Sequence, residues 1–153
     1  MLATPFEGGC QCGAVRYRCD AHPFVVYTCH CRACQRITAS AFGTFAHVPV
    51  EALSLTSGVA TEHVREADSG NRLTTSFCGS CGSALFVANA ARPRIRACFV
   101  GSLDRAGDAE VSAHIWTKRR LPWVVLPPGH RVFEAAGDWR PDYASDPSRL
   151  EPQ

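Results

Sequence analysis

The stretch Cys29-His30-Cys31-Arg32-Ala33-Cys34 places three cysteines within six residues, and it decides how the whole chain is interpreted. Two further motifs accompany it: Cys10-Gln11-Cys12 near the start and Cys78-Gly79-Ser80-Cys81 in the middle. Together the three motifs contain seven of the nine cysteines. Cysteines grouped in this way are typical of metal-binding or redox sites.

The composition excludes several classes of protein. Nine cysteines in 153 residues is about 6%, below the ~8–10% of disulfide scaffolds, and an odd number prevents complete pairing. The length fits one domain, and 46% hydrophobic residues can form a core without disulfides. With 20% charged residues and a net charge of +2, the chain is not expected to be disordered. The small net charge also gives no indication of binding to nucleic acid or to anionic membranes.

The sequence also predicts where the protein resides. The start, MLATPFEGGC, lacks a basic region followed by an apolar region, so no secretory signal is expected. The chain contains no apolar run long enough for a transmembrane helix. We therefore expect a soluble cytoplasmic protein without a membrane partner. In that reducing compartment, clustered cysteines bind metal or do chemistry more often than they form disulfides.

Hydrophobic alternation and turn signals predict an all-β, mainly antiparallel fold of stacked or orthogonal sheets with little helix. The predicted strands are Gly13–Cys19, Phe24–Thr28, Ala41–His47, Ala52–Thr56, Arg72–Phe77, Ser83–Val87, Arg94–Val100 and Glu110–Trp116. A short helix is expected at Ala33–Thr38 and a single turn at Val50–Leu53. Residues 130–153, rich in Asp, Pro and Arg, are predicted to form an extended C-terminal tail after a domain at 1–129.

The paired cysteines suit a closed zinc site. Zn–S bonds of ~2.3 Å require side chains that converge on one point. In C-x-C both side chains lie on one face of a strand, and in C-x-x-C the chain must turn sharply. Cys10, Cys12, Cys78 and Cys81 would therefore complete a structural zinc site. A redox dithiol at Cys78 and Cys81 is the alternative, but no βαβ pattern surrounds it.

The triplet Cys29, Cys31 and Cys34 supplies three thiolates and an open fourth position, which is the usual arrangement of a catalytic zinc. The alternative is a second structural site completed by His30, His114 or another side chain. If the stretch is extended, His30 points to the opposite face from its neighbouring cysteines.

Two cysteines remain outside the motifs. Cys19 lies on the apolar face of its predicted strand and is expected in the core, whereas Cys98 shares strand parity with Arg94 and Arg96 and is expected to be partly exposed. A disulfide between them is the alternative, which the inferred compartment disfavours.

Taken in order, the segments GGCQCGAVRY, CHCRACQR, FCGSCGSAL, FVGSLD and HIWTKRRLPW resemble the glutathione-dependent formaldehyde-activating enzyme family, which also contains centromere protein V. The resemblance runs from about Gly8 to Trp123. It implies a β-rich, tent-like fold of antiparallel sheets at 1–129 that carries two zinc ions per chain.

The resemblance also implies roles for individual residues. Cys10, Cys12, Cys78 and Cys81 match the ligands of the family's structural zinc. The triplet Cys29, Cys31 and Cys34 matches the ligands of its catalytic zinc. One departure is Ala39, where a glycine is expected, and it leaves the preferred substrate open.

The implied activity is that of a carbon–sulfur lyase of the S-(hydroxymethyl)glutathione synthase type, acting on the adduct of a thiol such as glutathione with formaldehyde or a related aldehyde. Arg32, Arg36 and His114 are the expected substrate contacts, and a homo-oligomer is compatible with the sequence. One alternative is a zinc-stabilised binding module without catalysis. Another is a nucleic-acid binder, suggested by Lys118-Arg119-Arg120 and by Arg92, Arg94 and Arg96 but opposed by the small net charge.

Overall fold

The structure is a computed structural model, and it describes residues 2–136 of the chain. Eleven strands lie in this part of the chain: β1 Phe6–Gly9, β2 Arg16–Cys19, β3 Val25–Cys29, β4 Gly43–Pro49, β5 Leu53–Ser57, β6 Thr61–Glu66, β7 Arg72–Phe77, β8 Ala84–Asn89, β9 Ile95–Phe99, β10 Ala113–Ile115 and β11 Arg131–Val132. The α-helix in this part is α1, Arg32–Thr38, and single 3₁₀ turns occur at Val50–Ala52, Val100–Ser102, Ala106–Asp108 and Thr117–Arg119.

The strands form two sheets. The smaller has the order β1-β2-β5, and the larger has the order β11-β10-β3-β4-β9-β8-β7-β6. All pairings are antiparallel except those of β10 with β3 and with β11, which are parallel. The predicted all-β, mainly antiparallel fold with little helix is confirmed. No helix among the described residues is both long and apolar enough to span a membrane.

The main core lies between the two sheets. Tyr17 of the small sheet is fully buried and packs edge-on against Phe86 of the large sheet, with ring centroids 4.7 Å apart. Its hydroxyl lies 2.8 Å from Ser102 Oγ, so the buried polar atom has a partner. Cys19 and Cys98 are both fully buried in this core. The expectation that Cys98 is partly exposed is wrong, because β9 lies inside the large sheet and this face of it meets the core.

The other face of the large sheet carries a second apolar cluster. Alternation along β4 sends Ala46 and Val48 into the main core and Phe45 to the opposite side. Phe45 contacts Tyr27 and Phe99, with ring centroids 5.5 Å and 4.8 Å away. This second cluster forms the floor of the cavity described below.

Differences from the predicted elements have local causes. β1 was not expected, because Gly8 and Gly9 disfavour strands. Gly8 lies so close to Tyr17 that a Cβ atom would come within 2.4 Å of its hydroxyl. β6 is an exposed edge strand with little hydrophobic alternation, and it too was missed. The predicted strand at 13–19 begins only at Arg16, since Gly13 adopts φ +78° in the turn before it.

The C-terminal part adds a short strand to the sheet. β11 pairs with β10 at the start of the predicted tail. The backbone N–H groups of Trp116 and Thr117 then donate to the carbonyls of Ala135 and Phe133. Residues 137–153, which make up the rest of the predicted tail, lie outside the described part of the chain.

Candidate metal centres and cavity

The first cysteine cluster joins the two sheets. Its members, called the four-cysteine cluster below, are Cys10, Cys12, Cys78 and Cys81, and their sulfur atoms all lie within 4.8 Å of one another. The Cys10 and Cys12 sulfurs are 3.5 Å apart, and those of Cys12 and Cys78 are 3.7 Å apart. Tetrahedral zinc with ~2.3 Å bonds separates its sulfur ligands by ~3.8 Å. The cluster is therefore compatible with a closed zinc site.

Each half of this cluster is a tight turn. The Val15 N–H donates to Cys10 Sγ at 3.2 Å, and this hydrogen bond lowers the pKa of Cys10. In the other half, the Gly82 N–H donates to the Cys78 carbonyl at 2.8 Å, with Gly82 in the left-handed region at φ +76°. Ser83 lowers the pKa of Cys81 to about 5 by hydrogen bonding. The hydrogen bonds to Cys10 and Cys81 thus favour the thiolate at these two residues, which is the form that binds zinc.

The second cluster is the cysteine triplet, Cys29, Cys31 and Cys34, whose sulfur atoms also lie within 4.8 Å of one another. Cys29 is the last residue of β3, Cys31 caps the N-terminus of α1, and Cys34 lies in the helix. The Cys34 N–H donates to Cys31 Sγ at 3.4 Å. The thiols of Cys29 and Cys34 lower the pKa of Cys31 to about 2.

The donor set of the triplet fits zinc, because thiolates are the soft ligands that zinc prefers and three of them converge on one point. The described residues add no fourth side-chain donor to this cluster. The two clusters together are compatible with two zinc sites, one with four protein ligands and one with three.

The two histidines considered as further ligands lie elsewhere. His30 is fully buried on the other side of the strand, with its Nε2 3.0 Å from Thr28 Oγ1. His114 is also buried, with its Nδ1 2.6 Å from Thr28 Oγ1 and its Nε2 3.0 Å from His130 Nδ1. Neither belongs to the triplet cluster.

A cavity of about 530 Å³ opens in front of the triplet. Its walls near the triplet include Arg32, Arg36, Arg119 and Trp116. Arg32 and Arg36 lie one helical turn apart and so on one face of α1. The structure therefore places these two expected substrate contacts at the mouth of the same cavity as the triplet.

His114 does not line this cavity within the described part of the chain. The reason is strand parity: its neighbours Ala113 and Ile115 face the second apolar cluster, so His114 faces the opposite way. Its position does not support the expected contact with substrate.

Several cavity residues had little or no signal in the sequence. Tyr27 and His47 form a pair on the floor, with the Tyr27 hydroxyl 2.9 Å from His47 Nε2. Tyr27 could have been found from the triplet, because it lies two residues before Cys29 on the same face of β3. His47 is a lone histidine in a predicted strand, and nothing in the sequence indicates that it lies in the cavity.

Two residues beside the site have left-handed backbones. Trp116, a cavity-wall residue, adopts φ 57° immediately before the Thr117–Arg119 turn. Ala39 ends α1 with φ 48°, and its N–H donates to the Arg36 carbonyl. Glycine is the usual residue at such a position, which explains why a glycine was expected there. The alanine keeps the turn at the cost of a less favourable backbone conformation.

The basic segment Lys118-Arg119-Arg120 is engaged within the protein. Lys118 Nζ lies 5.1 Å from the centre of the Trp116 ring, Arg119 lines the cavity, and Arg120 donates to the Val124 carbonyl. All three residues remain exposed beside these contacts.

The sequence of this chain matches a known protein family and a relative in another organism. The model of the family "Glutathione-dependent formaldehyde-activating enzyme" matches residues 5–119. A protein of Halomonas elongata, whose assignment as a glutathione-dependent formaldehyde-activating enzyme is itself inferred, is 30% identical over 126 residues, which are 78% of this chain and 80% of that protein.

The fold also has a solved counterpart. A crystal structure of a Rhodobacter sphaeroides protein is similar with a TM-score of 0.54 and 20% identity, over 69% of this chain and 96% of the other. The family match covers all seven clustered cysteines and the helix beside the triplet. The chain belongs to the glutathione-dependent formaldehyde-activating enzyme family.

Proposed function

We propose that the protein catalyses reversible carbon–sulfur bond formation between a thiol, such as glutathione, and formaldehyde or a related aldehyde. The observation that carries the proposal is the cysteine triplet at one end of the cavity, with three converging sulfur donors and no fourth side-chain donor among the described residues. Cys29, Cys31 and Cys34 would hold a zinc ion there. Cys10, Cys12, Cys78 and Cys81 would hold a second, structural zinc.

The reaction adds the thiol across the carbonyl group. The C–S bond forms as the C=O π bond breaks, and the thiol proton ends on the former carbonyl oxygen, so no oxidant or reductant is needed. When bound at the triplet, zinc supplies Lewis acidity that stabilises a thiolate or polarises a carbonyl. Three thiolates give such a centre a formal charge of −1, which weakens this acidity.

The chain's own residues compensate for that charge. Arg32, Arg36 and Arg119 surround the mouth of the cavity and favour an anionic substrate there. Trp116 and Ile115 form an apolar wall beside them, which limits the water around the reacting groups. The arginines thus attract and orient the thiol, while the apolar wall makes their charges more effective.

The experiment measures adduct formation with zinc-loaded protein. Glutathione and ¹³C-formaldehyde are mixed at equilibrium, and exchange NMR gives the rate with and without protein. We expect the native protein to accelerate exchange and to hold two zinc ions per chain. Cys31→Ala should retain one zinc and lose the acceleration.

Cys19→Ala is the matched control, because it also removes one cysteine but lies in the core outside both clusters. It should keep both zinc ions and the acceleration. If Cys31→Ala accelerates exchange as well as the control does, the triplet is not the reaction site. Two bound zinc ions without acceleration for any thiol–aldehyde pair would favour the non-catalytic binding module instead.

A further inference from the structure

We propose that Gln35 is a positioning residue for the thiol: its buried amide holds the part of the cavity wall that carries Trp116 and Arg119 at a fixed place relative to the cysteine triplet. The inference rests on the proposed function, because it concerns the thiol that would react at the triplet. It assigns a role to a side chain that does not itself line the cavity.

Gln35 is a polar residue in the middle of α1, yet it is only 4% exposed and is the buried residue of that helix. Its neighbours Cys34 and Arg36 line the cavity, whereas Gln35 does not. Burial of an amide costs free energy unless its donors and its acceptor find partners. The hydrogen bonds of this side chain therefore decide what it contributes to the site.

Both polar atoms of the Gln35 amide have partners. Nε2 donates to the His30 carbonyl at 2.7 Å and to the Arg119 carbonyl at 2.9 Å. Oε1 accepts from the Arg32 guanidinium. The reverse orientation of the amide would set its oxygen against two carbonyl oxygens and its N–H groups against a guanidinium. The network therefore fixes the side chain in one orientation.

The three partners belong to different parts of the site. His30 lies between two cysteines of the triplet, so its carbonyl belongs to the loop that carries two of the sulfur donors. Arg32 begins α1, and Arg119 ends the turn that follows Trp116. Gln35 and Arg119 are 84 residues apart in the chain. One side chain thus joins the triplet loop, the start of the helix and a distant part of the cavity wall.

That part of the wall, residues 116–119, is called the wall turn below. Trp116 has a left-handed backbone at φ 57°, which is unfavourable for a residue with a side chain and persists only where the surroundings hold it. On one side, the N–H groups of the first two residues of the turn donate to the carbonyls of Ala135 and Phe133. On the triplet side, Gln35 donates to the carbonyl at the end of the turn. Without that hydrogen bond the wall turn can relax away from the triplet.

The wall turn and the triplet both face the space that the thiol would occupy. Trp116 and Arg119 line the same cavity as the three cysteines. A thiol with its sulfur at the triplet contacts this wall only if the two parts keep the right separation. Gln35 therefore acts on the binding of the thiol, whereas the sulfur donors themselves do not depend on its amide.

Gln35→Met tests this role, because methionine is unbranched, similar in length and a good helix former but cannot replace the three hydrogen bonds. Exchange NMR on zinc-loaded protein gives kcat and KM for glutathione, and elemental analysis gives the zinc content. We expect two zinc ions, an unchanged kcat and a KM about tenfold higher, as for the loss of one charge-assisted hydrogen bond. A general defect in folding or metal loading would instead lower kcat at constant KM, because fewer molecules would be active.

Thr38→Val is the matched control. Thr38 lies on the same helix, and its hydroxyl donates to the carbonyls of Cys34 at 2.8 Å and of Phe42 at 3.2 Å. It forms hydrogen bonds of the same kind as Gln35 but does not reach the wall turn or line the cavity. Its loss should leave KM unchanged.

A second variant shows whether Gln35 acts through the wall turn. Arg119→Gln alone should raise KM about threefold, as for an exposed ion pair. In Gln35→Met the wall turn is already displaced, so the double variant should show no more than the increase of Gln35→Met alone. Independent effects would multiply to about thirtyfold, and that result would overturn the proposal.

Gln35→Glu separates the two sides of the network. Its carboxylate accepts from Arg32 but cannot donate to the His30 and Arg119 carbonyls. We expect the same increase in KM as for Gln35→Met. A native KM in either variant would overturn the proposal. Failure of both variants to fold with two zinc ions would overturn it as well, since the amide would then hold the fold rather than the wall.

The two proposals fail in different ways, and calorimetric titration with glutathione on the same proteins separates them. Acceleration by the native protein with an unchanged KM in Gln35→Met would leave the reaction and remove the role of Gln35. Glutathione binding without acceleration, weakened by Gln35→Met but not by Thr38→Val, would remove the reaction and leave Gln35 as the residue that positions the wall of a thiol-binding site. Absence of both binding and acceleration would overturn both proposals.

Discussion

The sulfur atoms of Cys12 and Cys78 lie 3.7 Å apart although 66 residues separate them in the chain. Cys12 belongs to the loop after β1 in the small sheet, and Cys78 follows β7 in the large sheet. A metal ion held by these cysteines would therefore fasten one sheet to the other. Closing so long a loop is costly in entropy for a chain without the metal.

Cys78→Ala is expected to destabilise the whole fold. The substitution removes a buried ligand of the four-cysteine cluster, and loss of a structural metal removes folding free energy directly. We expect a loss of more than about 3 kcal/mol, or aggregation. Thermal unfolding followed by circular dichroism, with the wild-type protein before and after chelation as the reference, measures this. A variant that melts like the zinc-loaded wild type would show that the four cysteines do not hold a structural zinc.

Cys29→Ala is expected to act differently. It removes one ligand of the triplet and leaves the four-cysteine cluster intact, so the protein should fold with one zinc per chain in place of two. Elemental analysis of gel-filtered protein gives the metal content, and circular dichroism confirms the fold. The second zinc site would be contradicted if Cys29→Ala held as much zinc as the wild type. It would also be contradicted if the wild type held only about one zinc per chain.

Arg36→Gln is expected to weaken thiol binding without abolishing the reaction. Arg36 is exposed at the cavity mouth, so its attraction for an anionic thiol is screened by water. We expect KM for glutathione to rise about threefold, as for an exposed ion pair. The effect should disappear at high salt. Arg105→Gln, which breaks an ion pair with Asp108 outside the cavity, is the control and should leave KM unchanged.

His47 is expected to make the fold sensitive to acid. Its pKa is about 3 in the folded protein because burial disfavours the charged ring, against about 6.5 in the unfolded chain. Between these values the unfolded chain binds more protons, so stability falls as the pH falls through 6.5 towards 3. This residue alone should remove about 2 kcal/mol between pH 7 and pH 5.

His47→Gln isolates that contribution, because it keeps a polar side chain and both cysteine clusters. Urea unfolding of both proteins at pH 7 and pH 5 gives the difference. The variant should lose about 2 kcal/mol less than the wild type over this interval. An equal loss in the two proteins would mean that His47 is not held neutral in the folded state.

The cysteine groups could be predicted from the sequence because their geometry is local. Spacing alone brings Cys29, Cys31 and Cys34 within reach of one another. The helix predicted at Ala33–Thr38 begins one residue earlier, at Arg32, and this makes Cys31 its N-cap. The joining of Cys10 and Cys12 to the second pair could be inferred by counting ligands. Strand parity likewise predicted that His30 points away from the triplet.

The cavity could not be predicted in the same way, because it depends on pairing between distant strands. Arg92 and His47 come together only because β4 and β9 are neighbours in the sheet. The sequence also could not show which way His114 points. That direction depends on the place of β10 in the sheet, which is set by its parallel pairing with β3. Parallel pairing of such a short strand leaves no recognisable pattern in the sequence.

The wall formed by Trp116 and Ala136 has a consequence for the order in which the site is built. Translation proceeds from the N-terminus, and all seven clustered cysteines precede residue 82. The strand that carries Ile115, and the segment 133–135 that holds the Trp116 turn in place, are synthesised later. The nascent chain therefore presents every sulfur donor to the surrounding solution before the cavity wall exists. Loading with metal can precede the closing of the wall, so a finished cavity need not admit a hydrated ion.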